Sequence, residues 1–215
     1  MCPFGSHLDL FFESTDSLCM GISFEKIKSD IDVRPLLDAL VKRPELWKEI
    51  TLRQETAGSP HSDTETIFLR WSQDTSLEAV FTDLQAVDYP ALEELPEARK
   101  LLNEFLSVVD WHNLGRAIIV KLKPKGFIKP HADEGEYADF YERFHLCLQS
   151  DASNTMFIMN DEREGEFASM REGELWWVNH KNHHWAVNDS DKDRIHLIVD
   201  AVAPKYKRER HAISA

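Results

Sequence analysis

Apolar and polar positions alternate with two different periods along this chain, and the change falls near residue 110. Over 33–50, Leu36, Leu37, Leu40, Val41 and Trp47 recur at helical spacing, which predicts an amphipathic helix with Asp32 as its N-cap. Pro44 lies inside that pattern, so the helix is expected to kink or split there. A second helix is predicted over 92–109, with Leu101, Leu102, Phe105, Val108 and Val109 as its buried stripe. Between them, 65–71 alternates as a strand: Thr66, Phe68 and Arg70 face one way, Ile67, Leu69 and Trp71 the other.

After Gly115 the period shortens to that of strands. Segments 117–122, 127–130, 143–148, 155–159, 166–170, 175–178, 184–188 and 195–202 are apolar or alternating and are separated by turn residues such as Pro124-Lys125-Gly126 and Gly173. About eight short strands at roughly 8–12-residue spacing predict a sandwich or barrel. The expected organisation is one domain over 1–215, with a helix-rich part at 1–110 and a β core at 115–203. No internal repeat or low-complexity segment is visible.

Composition narrows the function classes. Of 215 residues, 42% are hydrophobic and 10% aromatic, which fits a packed globular core. A net charge of −13 argues against a nucleic-acid partner, which would need clustered Lys and Arg. The one basic cluster, 205–210, reads as a solvated tail. Cys2, Cys19 and Cys147 lack metal-site or disulfide-scaffold spacing, and Cys147 reads as a small core residue. No run of 18 apolar residues exists and the start lacks a signal-peptide pattern, so the expectation is a cytoplasmic protein with no membrane partner.

Candidate chemistry concentrates in the β core. His131-Ala-Asp133 places an imidazole and a carboxylate two residues apart, on one face if the segment is a strand. With His184 as third donor they form two imidazoles and one carboxylate, the ligand set of a non-haem Fe(II) centre with open positions. His61-Ser62-Asp63 has the same H-x-D spacing but no distal histidine and arginine to match, so a capping or substrate-proximal place suits His61 better. His180 and His183 flank the third donor. His183 competes for its role, and His184 is preferred because it opens an apolar strand.

Ten residues after His184 stands Arg194, on a strand expected to pair directly with that of His184 across the turn 189–193. An inward arginine is costly without an anion, and a dicarboxylate would supply one; the alternative is a surface ion pair with Asp189, Asp191 or Asp193. Arg143 and His145 alternate inward on another strand, either for an anionic ligand or with Arg143 paired to Glu142 or Asp139. His196 shares the parity of Arg194 and reads as packing behind the site.

Together, Pro130-His131-Ala-Asp133, Arg143-Phe-His145, Gly173-Glu174-Leu-Trp176, 184–188 and 194–200 resemble the aspartyl/asparaginyl β-hydroxylase family of Fe(II)/2-oxoglutarate oxygenases over roughly 115–202. The resemblance implies a cupin-like double-stranded β-helix (jelly roll) with the N-terminal helices packed outside it. It implies iron on His131, Asp133 and His184, the 2-oxoglutarate C5 carboxylate on Arg194, and Arg143 with His145 near its C1 end. The implied reaction uses O₂ to hydroxylate an unactivated C–H of an amino acid, peptide side chain or related small metabolite, giving succinate and CO₂. Asp133, where some members carry glycine, favours hydroxylation over halogenation. The hydroxyl-bearing residue some members carry before the first ligand is Val120 or a neighbour here. Substrate choice is assigned to loops and to the first half of the chain, where His61, Arg70, Arg53 and 134–139 are candidates. Two other classes compete: a non-catalytic cupin-like binder of metal or small anion, and a structural barrel that assembles through its helices. Two inward arginines favour the enzyme.

Overall fold

The computed structural model describes residues 23–56, 58–160 and 164–208. Cys2, Cys19, the first residues of the chain and the end of the basic tail lie outside this set. The fold is mostly β with helices, in two antiparallel sheets.

Arg34–Lys42 (α1) ends before Pro44, which opens a separate 3₁₀ turn at Pro44–Lys48. The split expected at Pro44 is therefore present. Asp32 accepts from the Arg34 N–H at 3.2 Å, although Val33 occupies the N-cap position. The second predicted helix is also divided, into Pro90–Glu94 (α4) and Pro96–Val108 (α5), because Pro96 cannot donate to continue the first turn.

Seven strands form the larger sheet in the order Phe24–Lys28 (β1), Leu175–Val178 (β9), Glu142–Gln149 (β6), Arg194–Val202 (β11), Asn113–Leu122 (β4), Thr64–Trp71 (β2) and Val87–Asp88 (β3). The smaller sheet is Phe127–His131 (β5), His184–Asn188 (β10), Asn154–Met159 (β7) and Gly165–Ala168 (β8). From β4 onward the chain crosses repeatedly between the two sheets. Short two-residue edges such as β3, and β1 at the other margin, were not legible as strands.

Strand parity divides the larger sheet into two faces. Ile67, Leu69, Ala117, Ile119, Phe144, Leu146, Ile195, Leu197 and Val199 join the helical side chains Leu36, Leu40, Leu102 and Phe105 in the main core. The helices thus cover one face of the sheet, as expected. The opposite face carries Arg194, His196 and Asp200 of β11 beside Arg143, His145 and Cys147 of β6, in register His196↔Cys147 and Asp200↔Arg143. Polar groups gather there, and the candidate site lies on that face.

Three expectations need correction. β10 and β11 are not paired: β10 bonds to β5 and β7, whereas β11 bonds to β4 and β6. The turn 189–193 carries the chain from one sheet to the other, pinned by Asn188, whose Nδ2 donates to the carbonyls of Leu122, Lys123 and Lys192. A bulge between Phe68 and Arg70 breaks the simple alternation of β2, so Trp71 joins Phe68, Ile118 and Val120 instead of Ile67 and Leu69. The basic tail is not merely solvated: Tyr206 is buried against Phe144 and Trp177, and Lys205 reaches Glu25 at 2.6 Å.

Candidate metal centre

His131 ends β5 and faces His184 directly across the β5–β10 pair, with ring centroids 4.3 Å apart. Asp133 stands two residues past the strand rather than on it, and its N–H donates to the His180 carbonyl at 3.1 Å. That bond turns the carboxylate back, bringing Asp133 Oδ1 to 3.6 Å from His131 Nε2. One donor atom from each of His131, Asp133 and His184 lies within 4.8 Å of the others. Among the described residues, this is the group of three or more histidines, cysteines and carboxylates placed to hold a metal ion.

The hydrogen bonds fix how the imidazoles present themselves. His131 Nδ1 is 2.8 Å from the Lys129 carbonyl and His184 Nδ1 is 2.9 Å from that of Asn182. Carbonyls only accept, so each Nδ1 carries the hydrogen and each Nε2 keeps its lone pair for a metal. Burial holds His184 down to about 4 and lowers His131, so both are neutral at pH 7. Burial raises Asp133, but the Arg143 guanidinium together with His184, His180 and His131 outweighs it and keeps the carboxyl well below its usual range. Two neutral imidazoles and a carboxylate fit a divalent first-row ion such as Fe(II) without displacing protons.

Arg143 bonds to Asp133 and, through Nε and Nη2, to both oxygens of Asp200 at 2.8 and 3.0 Å. Neither Glu142 nor Asp139 takes it; Glu142 pairs with Lys181 instead. Tyr137 donates to Asp200 at 3.2 Å and accepts from the Arg116 N–H at 2.7 Å. Arg116 is buried between the rings of Tyr137 and Trp71, with carbonyls of Ala79 and Val80 and the Ser72 hydroxyl as acceptors.

Arg194 differs from these. It is 6% exposed, yet its guanidinium makes no ion pair or hydrogen bond with the described residues. Asp189 and Asp191 face Lys125 instead. Burial pushes its guanidinium down to about 10, and the one nearby group that favours its charge is Cys147, whose thiol burial holds protonated at about 12. His145 and His196 lie beside it with Nδ1 atoms 3.3 Å apart, both kept neutral first by burial and then by Arg194.

A model of the aspartyl/asparaginyl β-hydroxylase family matches residues 25–204. The chain belongs to that family. No curated protein sequence matches it. Among solved structures it is similar to a prolyl hydroxylase from Trichoplax adhaerens in complex with a hypoxia inducible factor oxygen degradation domain peptide fragment (TM-score 0.54, 10% identity, 86% of each chain covered). It is also similar to a Pseudomonas putida prolyl-4-hydroxylase (TM-score 0.50, 13% identity, 86% of this chain and 94% of that one). At such identities the likeness speaks to the fold. Family membership identifies a hydroxylase.

A cavity of about 520 Å³ opens beside the donors, lined by His131, Asp133, Arg143 and Asp200 at one end. Segments outside the two sheets supply much of its wall: Arg53 on Leu52–Glu55 (α2), Leu77, Val80 and Phe81 on Leu77–Thr82 (α3), and Tyr137 and Ala138 on Glu136–Phe140 (α6). Gly135 takes φ +93° where a Cβ would fall 2.8 Å from Phe81, so this position needs glycine for α6 to close against α3.

Not every predicted residue joins the site. His61 packs edge-on to His131 with centroids 5.0 Å apart and lines the cavity. Its partner in the H-x-D pair, Asp63, turns away to accept from the Phe127 N–H. Arg70 lies outside the cavity: the β2 bulge directs it to Asp88 and the carbonyls of Gly115 and Ala86. His183 is exposed and is not among the clustered donors. Tyr137 falls within the candidate segment 134–139 and lines the cavity. Sequence reasoning did not single out Asp200, Arg116 or Trp71; of these Asp200 alone carried a signal, since it shares the inward parity of Arg194 and His196.

Of the eight histidines among the described residues, six (His61, His131, His145, His180, His184 and His196) are held below their ordinary value, burial being the largest cause for each. They stay neutral in the folded state while the unfolded chain protonates them below about pH 6.5. Their contribution to stability is therefore complete above that pH and lost as pH falls toward about 4 for His184 and about 3 for His180. Each histidine that gains a proton on unfolding adds up to about 1.4 kcal/mol of destabilisation per pH unit. The Tm of metal-free protein should drop steeply between pH 6.5 and 5, and an unchanged Tm over that interval would contradict the neutral cluster.

Proposed function

We propose that this chain, as a single oxygenase domain over 1–215, hydroxylates an unactivated C–H with Fe(II), 2-oxoglutarate and O₂. The overall balance is 2-oxoglutarate + O₂ + R–H giving succinate + CO₂ + R–OH. The observation that carries the reading is Arg194, a buried cation without an anion among the described residues, on the same face of β11 as His196 and Asp200. Such a charge costs several kcal/mol unless a ligand pairs it, and the far carboxylate of 2-oxoglutarate matches a guanidinium two oxygens to two N–H groups.

In this reading His131, Asp133 and His184 hold the iron, which when bound supplies the redox chemistry. Arg194 anchors C5, and Arg143 with His145 flanks C1; the contact of Arg143 with Asp133 supports that placement. Asp200 and Tyr137 keep Arg143 oriented, and the apolar cavity wall limits water near the reacting C–H. The R–H is placed on an amino acid, a peptide side chain or a related small metabolite, in line with the family and with a structural relative solved with a peptide. A cupin-like binder without turnover would not require the unpaired Arg194.

Succinate released from 2-oxoglutarate with Fe(II) in air is the direct test. It should rise when an amino-acid or peptide pool contains the substrate and stop when oxygen or iron is removed. Absence of both succinate and calorimetric 2-oxoglutarate binding would overturn the reading.

A further inference from the structure

Arg53 has no place in the iron or 2-oxoglutarate machinery, yet it lines the cavity beside it. Its Nη2 lies 2.8 Å from His61 Nε2, and no carboxylate pairs with it among the described residues. Asp133 and Asp200, the acids whose charge it feels, are both engaged by Arg143. A guanidinium can only donate, so His61 Nε2 accepts and His61 Nδ1 carries the hydrogen. His61 Nδ1 and Arg53 Nη1 are both buried without a partner. Two neighbouring N–H groups therefore lack acceptors at a cavity that already contains one neutral and one charged donor.

Buried polar groups are normally satisfied, so this pair calls for a ligand that accepts two hydrogen bonds and carries negative charge. A carboxylate does both. A phosphate ester, with up to two charges, would need a second free cation, but Arg116 and Arg143 are committed to their own acceptors. Trp71, Leu77, Val80, Phe81 and Ile118 supply apolar wall, beside the polar Thr56, Ser59 and Glu134. Leu77 and Phe81 add apolar surface that is partly open to solvent.

Building on the proposed oxygenase activity, we propose that the prime substrate is a small carboxylic acid with an apolar body, its carboxylate held by Arg53 and His61. Arg53 is then a specificity-determining residue. Because His61 packs on His131, the carboxylate is placed one imidazole away from the metal donors and the apolar body lies along α3.

The test uses anaerobic protein loaded with Fe(II) and saturating 2-oxoglutarate, so that Arg194 is already occupied. Calorimetric titrations compare hexanoate, 4-methylpentanoate and N-acetyl-leucine with their primary amides and with hexyl phosphate. The acids should bind at least tenfold more tightly than the amides. Arg53→Gln should remove that preference while leaving 2-oxoglutarate affinity intact, Arg53→Lys should restore part of it, and Arg70→Gln should change nothing. Equal binding of acid and amide, a preference that survives Arg53→Gln, tighter binding of hexyl phosphate, or no binding of any acid would each overturn the proposal. A 2-oxoglutarate titration of the iron-loaded wild type separates the layers. If the co-substrate binds and the acid preference is absent, only this inference falls; if it does not bind, the oxygenase reading falls and takes this one with it.

Discussion

Arg194→Met will weaken 2-oxoglutarate binding by roughly 30-fold to several-thousand-fold while leaving iron binding unchanged. Truncating one partner of a buried, hydrogen-bonded charge pair costs about 2–5 kcal/mol, which sets that range. The same substitution should make the ligand-free protein more stable. In that state the guanidinium is buried with no anion, and a methionine of similar length relieves the desolvation cost without leaving a carboxylate stranded. A gain of about 1–3 kcal/mol is expected, or about 2–4 °C in Tm per kcal/mol for a chain of this size. Calorimetry with 2-oxoglutarate and thermal melts of metal-free protein give the two readings. Unchanged co-substrate affinity refutes the assignment of Arg194. A lowered Tm would mean that the cation has a protein partner after all.

His184→Ala should remove iron binding and turnover together, whereas His183→Ala should leave both at wild-type levels. The two residues are adjacent in sequence and opposite in environment: His184 is 6% exposed with Nδ1 bonded to Asn182, and His183 points to solvent. Loss of a group that merely orients a ligand costs about 10–100-fold in metal affinity. Loss of one of three ligands should exceed that. Equilibrium dialysis of Fe(II) under anoxia, with succinate release in parallel, measures both effects. Iron retained by His184→Ala, or lost by His183→Ala, would move the third donor position to His183.

Much of this site could be read from strand parity. His184–Asn188 is a strand with the bounds predicted for it, and alternation along 194–202 put Arg194, His196 and Asp200 on one face. Tertiary connectivity could not be read in the same way. A five-residue turn after Asn188 suits a hairpin as well as a crossover, and the choice is made by Asn188 bonding to carbonyls of 122 and 123, some 65 positions away. Asp133 converges on His131 through a backbone bond to His180 rather than through strand geometry. Arg70 was misplaced because a bulge leaves no mark in a pattern of alternating residues. The short helices α2, α3 and α6 span only 4, 6 and 5 residues, too few turns for a helical period to emerge. Those helices carry much of the cavity wall.

This division of labour has an evolutionary consequence. His131, His184 and Arg194 sit on paired strands, where a shift of one residue would invert every side chain. The segments around 52–61 and 76–83 contribute to the cavity without holding the strands in register. New specificities can therefore arise by exchanging those two segments as cassettes while the reaction centre is inherited intact. Chimaeras that trade them between members of the family should transplant substrate preference without requiring the oxidative machinery to be rebuilt.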